Sequence, residues 1–241
     1  MQGNRSRIGV VAALEREVRP LMKKWRVSQR DHGGRRFRFF EKNDAVLVCG
    51  GIGMEAARRA TEAMIAIYAP AIIYSAGFAG ALDPQLKVGD VLQPRRVMDG
   101  GDGSSVSLER GDGVLVSFGS VASPAQKAKL RASFGAQMVD MEAAAVARAA
   151  EARGVEFAAV KVISDDFDFS FPWLERFVDS DGKSLEARVA LYAALRPWLW
   201  PQMARLARNG RRASAALCGW LERKCLNSAL HCGDPCEADC Q

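Results

Sequence analysis

The stretch Phe157–Asp168, FAAVKVISDDFD, decides the fold. Its first seven residues, Phe157 to Ile163, are apolar apart from Lys161 and suit a strand buried on both faces. The run then breaks into Ser164 and the acidic pair Asp165 and Asp166. A buried strand that ends in carboxylates belongs in a layered α/β sheet, where helices cover the faces and the loops at strand ends carry the chemistry.

Upstream, alanine-rich Met141–Arg153 reads as a helix closed by Gly154, and Pro124–Ser133 as another. Ile8–Ala13 (IGVVAA) is a second buried strand, followed by a helix over Leu14–Trp25. Phe37–Glu41 and Ala45–Cys49 flank the turn signal Asn43-Asp44 and predict a hairpin. Met54–Tyr68 is a helix ended by Pro70, and Ala71–Ala76, Val88–Gln93 and Val114–Ser117 are further strands. Strands alternate with helices through residue 165, so the expected class is α/β. Asp99–Gly113 (DGGDGSSVSLERGDG) reads as a flexible loop. Pro197, Pro201 and Gly210 divide the C-terminal part into short helices, near Leu185–Leu195, Gln202–Asn209 and Arg211–Lys224.

The chain has 241 residues, 49% of them hydrophobic, enough for one sizeable core. Ala63–Leu82 has the length of a membrane span, but Pro70, Ser75, Gly77 and Gly80 interrupt it, which reads as core rather than bilayer. Met1–Arg7 is polar and unlike a signal peptide, so a cytoplasmic location is expected. The formal charge of +6 is unevenly spread. Residues 196–224 hold seven basic side chains against Glu222, whereas 225–241 hold three acids and no Lys or Arg. Three regions follow: a catalytic domain over 1–195, a basic Trp/Arg-rich helical extension over 196–224, and a disordered tail over 225–241.

Three separated segments place a carboxylate beside a strand end or helix start: ALEREV (Ala13–Val18) with Glu17, VDMEAAAVA (Val139–Ala147) with Glu142, and VKVISDDFD (Val160–Asp168) with Asp165. SAGFAGAL (Ser75–Leu82) adds a glycine loop whose backbone can approach a flat ligand. Taken singly, each acid also fits a helix-start residue interacting with the dipole, and the glycine run a packing turn.

Together and in this order, the segments resemble the purine and uridine phosphorylase family, and within it the methylthioadenosine/S-adenosylhomocysteine nucleosidase branch. The resemblance covers residues 8 to about 168. It implies a three-layer nucleoside phosphorylase-like fold, with a mixed central sheet flanked by helices and extra C-terminal helices. It also implies cleavage of a purine N-glycosidic bond without a cofactor or metal. By that resemblance Asp165, supported by Ser164, donates a proton to N7 of the base, with burial or neighbouring Asp166 keeping it protonated. Met141 and Glu142 hold the ribose, and Glu17 orients and deprotonates the attacking water. Gly80 lines the pocket, and Val121 and Ala122 flank the base.

Two positions depart from the nucleosidase pattern: Phe78 replaces a small hydroxyl residue, and Lys161 replaces an arginine. ALEREV lacks the glycine-rich, arginine-bearing turn with which the phosphorylases hold phosphate. Hydrolysis is therefore favoured, although Lys161 keeps phosphate as an option. With ISDDFDF (Ile163–Phe169) and FPWLERFVD (Phe171–Asp179), the pattern is similar to the hopanoid-associated phosphorylase group, which implies removal of adenine from adenosylhopane. A soluble methylthioadenosine/S-adenosylhomocysteine nucleosidase, a phosphate-using phosphorylase and a non-catalytic nucleoside- or lipid-binding protein are the alternatives.

Trp198, Trp200 and Trp220 among the arginines of 196–224 suit peripheral contact with a membrane interface, or a helix packed on the core with a wet arginine face. No nucleic-acid motif accompanies the basic residues. The expected partner is a small purine nucleoside, and the family resemblance implies a homo-oligomer. Cys225, Cys232, Cys236 and Cys240 beside His231 lack the paired spacing of a zinc knuckle, so no metal is assigned to them.

Overall fold

Valine, isoleucine and alanine at Ile8–Ala12 (β1), Ile72–Ala81 (β5) and Glu156–Asp165 (β11) build the centre of a mixed sheet. A computed structural model describes residues 7–169 and 197–223. Strand β5 pairs in parallel with β1 on one side and β11 on the other. Among the described residues the sheet has eleven strands, with the main order β2 (Arg26–His32), β3 (Arg35–Lys42), β4 (Ala45–Cys49), β1, β5, β10 (Met138–Asp140), β9 (Val114–Ser117), β7 (Arg96–Asp99) and β8 (Ser105–Ser107), while β6 (Val91–Leu92) pairs with β11. Parallel pairing at the centre and burial on both faces explain why these strands carry no polar alternation.

The N-terminal edge is a meander of β2 (Arg26–His32), β3 (Arg35–Lys42) and β4 (Ala45–Cys49). The hairpin over Asn43-Asp44 is present, with Asn43 in the left-handed region at φ 52°. Strand β2 is absent from the sequence reading. Its residues, RVSQRDH, are mostly exposed and have no apolar face, so only pairing with β3 reveals it.

Helix α1 (Glu15–Met22) and the last described helix, α5 (Trp200–Leu221), cover one face of the sheet. Val10, Val18, Leu21, Trp25 and Val160 pack there against Ala213, Leu217 and Leu221 of α5. Helices α2 (Met54–Tyr68) and α4 (Ala143–Glu151) cover the other face, around Val11, Val48, Ala60, Met64 and Ile73. Helix α3 (Pro124–Phe134) closes the side near β9 (Val114–Ser117) and β10 (Met138–Asp140), with Leu130 beside Val116 and Val139. The result is the three-layer arrangement expected.

Three local expectations change. SAGFAGAL is no loop, since Ser75–Ala81 continues β5. Asp99–Gly113 is not wholly loop: Ser105–Ser107 forms β8, antiparallel to β7 (Arg96–Asp99). Gly210 does not divide two helices, because α5 runs unbroken through it with Pro201 in its first turn, where a missing N–H costs nothing. No described helix is long and apolar enough to cross a membrane. The expected helix at 185–195, the FPWLERFVD segment and the cysteine tail lie outside the described residues.

Candidate active site

Strand β1 ends at Ala12, and the chain enters α1 so that Glu17 falls in its first turn. The side chain folds inward and is buried, with Oε2 3.5 Å from the N–H of Leu14. Its space is made by Gly77 of β5, where a Cβ would stand 3.1 Å from Glu17 Oε2. Burial pushes the Glu17 carboxyl up to about 7, against the pull of Lys161 and Arg16.

Glu142 stands at the N-cap of α4, immediately after β10. It does not cap its own helix. Its carboxylate accepts the N–H of Gly53, at the start of α2, at 2.8 Å and that of Met141 at 3.3 Å. Burial first, and then repulsion from Asp140, holds Glu142 well above the ordinary carboxylate range.

Asp140 and Lys161 form the buried support of this end. The Asp140 carboxylate accepts from Ser117 Oγ at 2.5 Å, the Ala143 N–H at 2.9 Å and Lys161 Nζ at 2.8 Å. Lys161 Nζ also donates to Ser75 Oγ at 3.1 Å. Burial opposes the ammonium charge of Lys161, but Asp140, Glu142 and Glu17 outweigh it and raise its pKa. The Lys161 side chain is buried and is not among the residues lining the main cavity; with Glu142, Ser75 and Gly77 it lines a small void of about 10 Å³.

Asp165 closes β11. The pairing of β11 with β5 is regular from Glu156 to Ile163 and then shifts, so that Asp165 rather than Ser164 faces Gly80. Such an irregularity re-aims a side chain at a strand end. Gly80 leaves the space the carboxylate occupies, since a Cβ there would lie 2.8 Å from Asp165 Oδ2. Ser164 Oγ donates to Asp165 Oδ1 at 2.8 Å. Lys127 Nζ, from α3, donates to Oδ2 at 2.5 Å and to the main-chain oxygen of Asp166 at 2.7 Å. The Asp166 carboxylate turns instead to Arg205, 2.7 Å away. The charged neighbour of Asp165 is therefore a lysine and not the adjacent aspartate.

Glu17, Glu142 and Asp165 all line one cavity of about 880 Å³. Met141, Phe78, Gly80, Ser164, Val121 and Ala122 line it too. Of the residues picked from sequence, only Lys161 is kept out of it. Missed were Lys127, which lines the cavity, and Asp140, the neighbour of Glu142 in VDMEA. Lys127 lies in PAQKAKL, where nothing local separates it from a surface lysine. Also missed is the share of the lining supplied around α1 and α5: Leu14, Pro20, Met203, Leu206, Ala207 and Gly210, together with Arg16, Arg19, Lys23 and Arg211. Among the described residues no cluster of His, Cys, Asp or Glu is placed to hold a metal ion.

A family model described as the phosphorylase superfamily matches residues 7–124 and 108–190, well over half of the chain. The chain is 28% identical over 225 residues to the 5'-methylthioadenosine/S-adenosylhomocysteine nucleosidase of Staphylococcus aureus strain MRSA252, covering 76% of this chain and 99% of that one. Two solved structures share the fold. The 5'-methylthioadenosine/S-adenosylhomocysteine nucleosidase of Colwellia psychrerythraea 34H, in complex with adenine, is 23% identical with a TM-score of 0.59, over 69% of this chain and 85% of that one. The futalosine hydrolase of Helicobacter pylori strain 26695 is 18% identical with a TM-score of 0.66, over 91% of this chain and 98% of that one.

Proposed function

We propose, from the premise that this chain belongs to the phosphorylase superfamily and is an enzyme of the nucleosidase and nucleoside phosphorylase kind, that it hydrolyses the N-glycosidic bond of an adenosine-type nucleoside, with adenosylhopane as substrate. The observation that carries this reading is the meeting of Glu17, Glu142 and Asp165 in one hollow. Cleavage needs a proton on the departing base, a group that favours positive charge on the sugar, and an oriented nucleophile. Asp165, steadied by Ser164, serves the base at N7, between Gly80 and the Val121-Ala122 segment. Glu142 and Met141 hold the ribose. Glu17, with a pKa near neutrality, takes the proton of the attacking water.

Hydrolysis is favoured over phosphorolysis on electrostatic grounds. Two carboxyls occupy the nucleophile end, and the nearest ammonium there, Lys161, is committed to Asp140. A phosphate dianion at that end would find Lys161 already engaged, and the other cations of the lining, Arg16, Arg19, Lys23 and Arg211, belong to the α1 and α5 side of the cavity.

The substrate assignment rests on the size of the cavity and on its α1 and α5 lining. A nucleoside fills only part of a cavity of about 880 Å³. Leu14, Pro20, Met203 and Leu206 are among the lining residues and suit a large apolar substituent on the sugar. Peripheral membrane contact fits such a substrate. Trp198, just before α5, is 70% exposed and Trp200, at its start, is 56% exposed, and the same helix contributes to the cavity lining.

A second reading, a 5'-methylthioadenosine/S-adenosylhomocysteine nucleosidase, is favoured by the Staphylococcus aureus relative. Incubation with adenosylhopane and with methylthioadenosine, with and without phosphate, separates the two. Adenine is expected from adenosylhopane at a rate independent of phosphate. Adenine from methylthioadenosine alone ends the hopanoid assignment, and a sugar phosphate product ends hydrolysis.

A further inference from the structure

Lys127 is the one ammonium in contact with a cavity carboxylate at the Asp165 end among the described residues, and its side chain is only 2% exposed. A lysine that serves packing alone keeps its head in water. Here the head is withdrawn from water and aimed at the tip of β11, where it meets Asp165 Oδ2 and the Asp166 carbonyl. Its helix is fixed beside the cavity. Ser123 and Gln126 form a reciprocal capping box, and Pro124 sits in the first turn, directly after Val121 and Ala122 of the cavity wall.

We propose that Lys127 is a positioning residue that acts through Asp165, holding its carboxyl toward the base and supplying the proton that it passes on; this rests on the reading of Asp165 given above. The proton passes from Lys127 Nζ to Asp165 Oδ2, and from Asp165 to N7 as the C1'–N9 bond breaks and its electron pair leaves with the base. Water adds to C1' and gives its proton to Glu17. Solvent then takes the proton from Glu17 and returns one to Lys127. One water is consumed, and the base leaves neutral.

Two neighbouring charged groups are engaged elsewhere. Asp166 pairs with Arg205 of α5, and Arg131 of α3 pairs with Asp83 after β5. Glu142 lies across the cavity, on Gly53 and Met141.

The test compares the full-length wild type with K127M and K127R in adenine release and in calorimetric binding of adenine. K127M is expected to lower kcat about 100-fold, with KM and adenine binding near wild type. K127R keeps the charge but cannot give up its proton, so it is expected to bind adenine and remain as slow. On a D165N background, K127M should cost nothing more. The proposal is overturned if K127M turns over like wild type, if K127R restores kcat, or if turnover and adenine binding fall together. A wild type that releases adenine from no adenosine-type nucleoside sinks the reading of the reaction instead.

Discussion

At the residue scale, Glu17 shows how one buried carboxyl links folding to chemistry. Its pKa in the fold, about 7, lies above the ordinary value of 4.5 because burial disfavours the charge. Between those values the folded state holds a proton that the unfolded chain has already released, so stability falls as pH rises through this window and is flat above it. The contribution is on the order of 3 kcal/mol. Denaturant unfolding should show wild type losing about that much from pH 4.5 to 8 relative to E17Q; parallel curves for the two would refute the assignment. Activity is expected to move the other way. A base must be ionised, so kcat/KM should rise as pH passes about 7, and E17Q should be slowed by roughly 10² to 10⁴. The Glu17 role is suggested by ALEREV, whereas its burial is not, because the walls come from Gly77 and other remote residues.

At the element scale, β5 and α5 decide where ligand atoms can go. In SAGFAGAL the glycines make room for protein carboxylates: Gly77 for Glu17 and Gly80 for Asp165. The sequence reading assigned the same glycines to the approach of a flat ligand, because a glycine run shows missing side chains without showing what fills the space. G80A, with its Cβ 2.8 Å from Asp165 Oδ2, must displace the carboxylate. Turnover is expected to drop about 10²-fold, since a misplacement of about 1 Å is enough for that loss. Gly210 is the opposite case. It lies inside α5, and a Cβ there meets only Phe78 at 3.9 Å. G210A should raise the melting point through a helix gain of about 0.5–1 kcal/mol and leave turnover of small nucleosides unchanged. A lower melting point would show that the helix needs glycine at this position.

At the scale of the whole molecule, α5 belongs to both the core and the cavity mouth. Its C-terminal half carries Ala213, Leu217, Cys218 and Leu221 into the cluster around β1, α1 and β11. Trp220 is half-buried there, with its ring edge-on to Tyr74 at 6.0 Å. The exposed tryptophans are at the other end, at 198 and 200. The core-packing reading of the basic Trp-rich segment therefore holds for the C-terminal half of α5, and the proposed membrane contact falls to the opposite end, at Trp198 and Trp200. Deleting the segment would remove core residues, so the membrane proposal is tested by substitution: the W198S/W200S double variant should lose sedimentation with anionic vesicles while keeping the wild-type melting point. Unchanged sedimentation removes the proposal.

The sequence by itself determined the α/β class, the central strands and the acids at their ends, because hydrophobic runs, helix stops and glycine turns are local signals. Only the tertiary structure decided which groups face those acids. It set Lys127 rather than Asp166 on Asp165, sealed Lys161 onto Asp140, and brought to the cavity lining a helix that lies well beyond β11 in the chain. Contacts between distant segments set burial and charge pairing, and no local pattern of residue types encodes them.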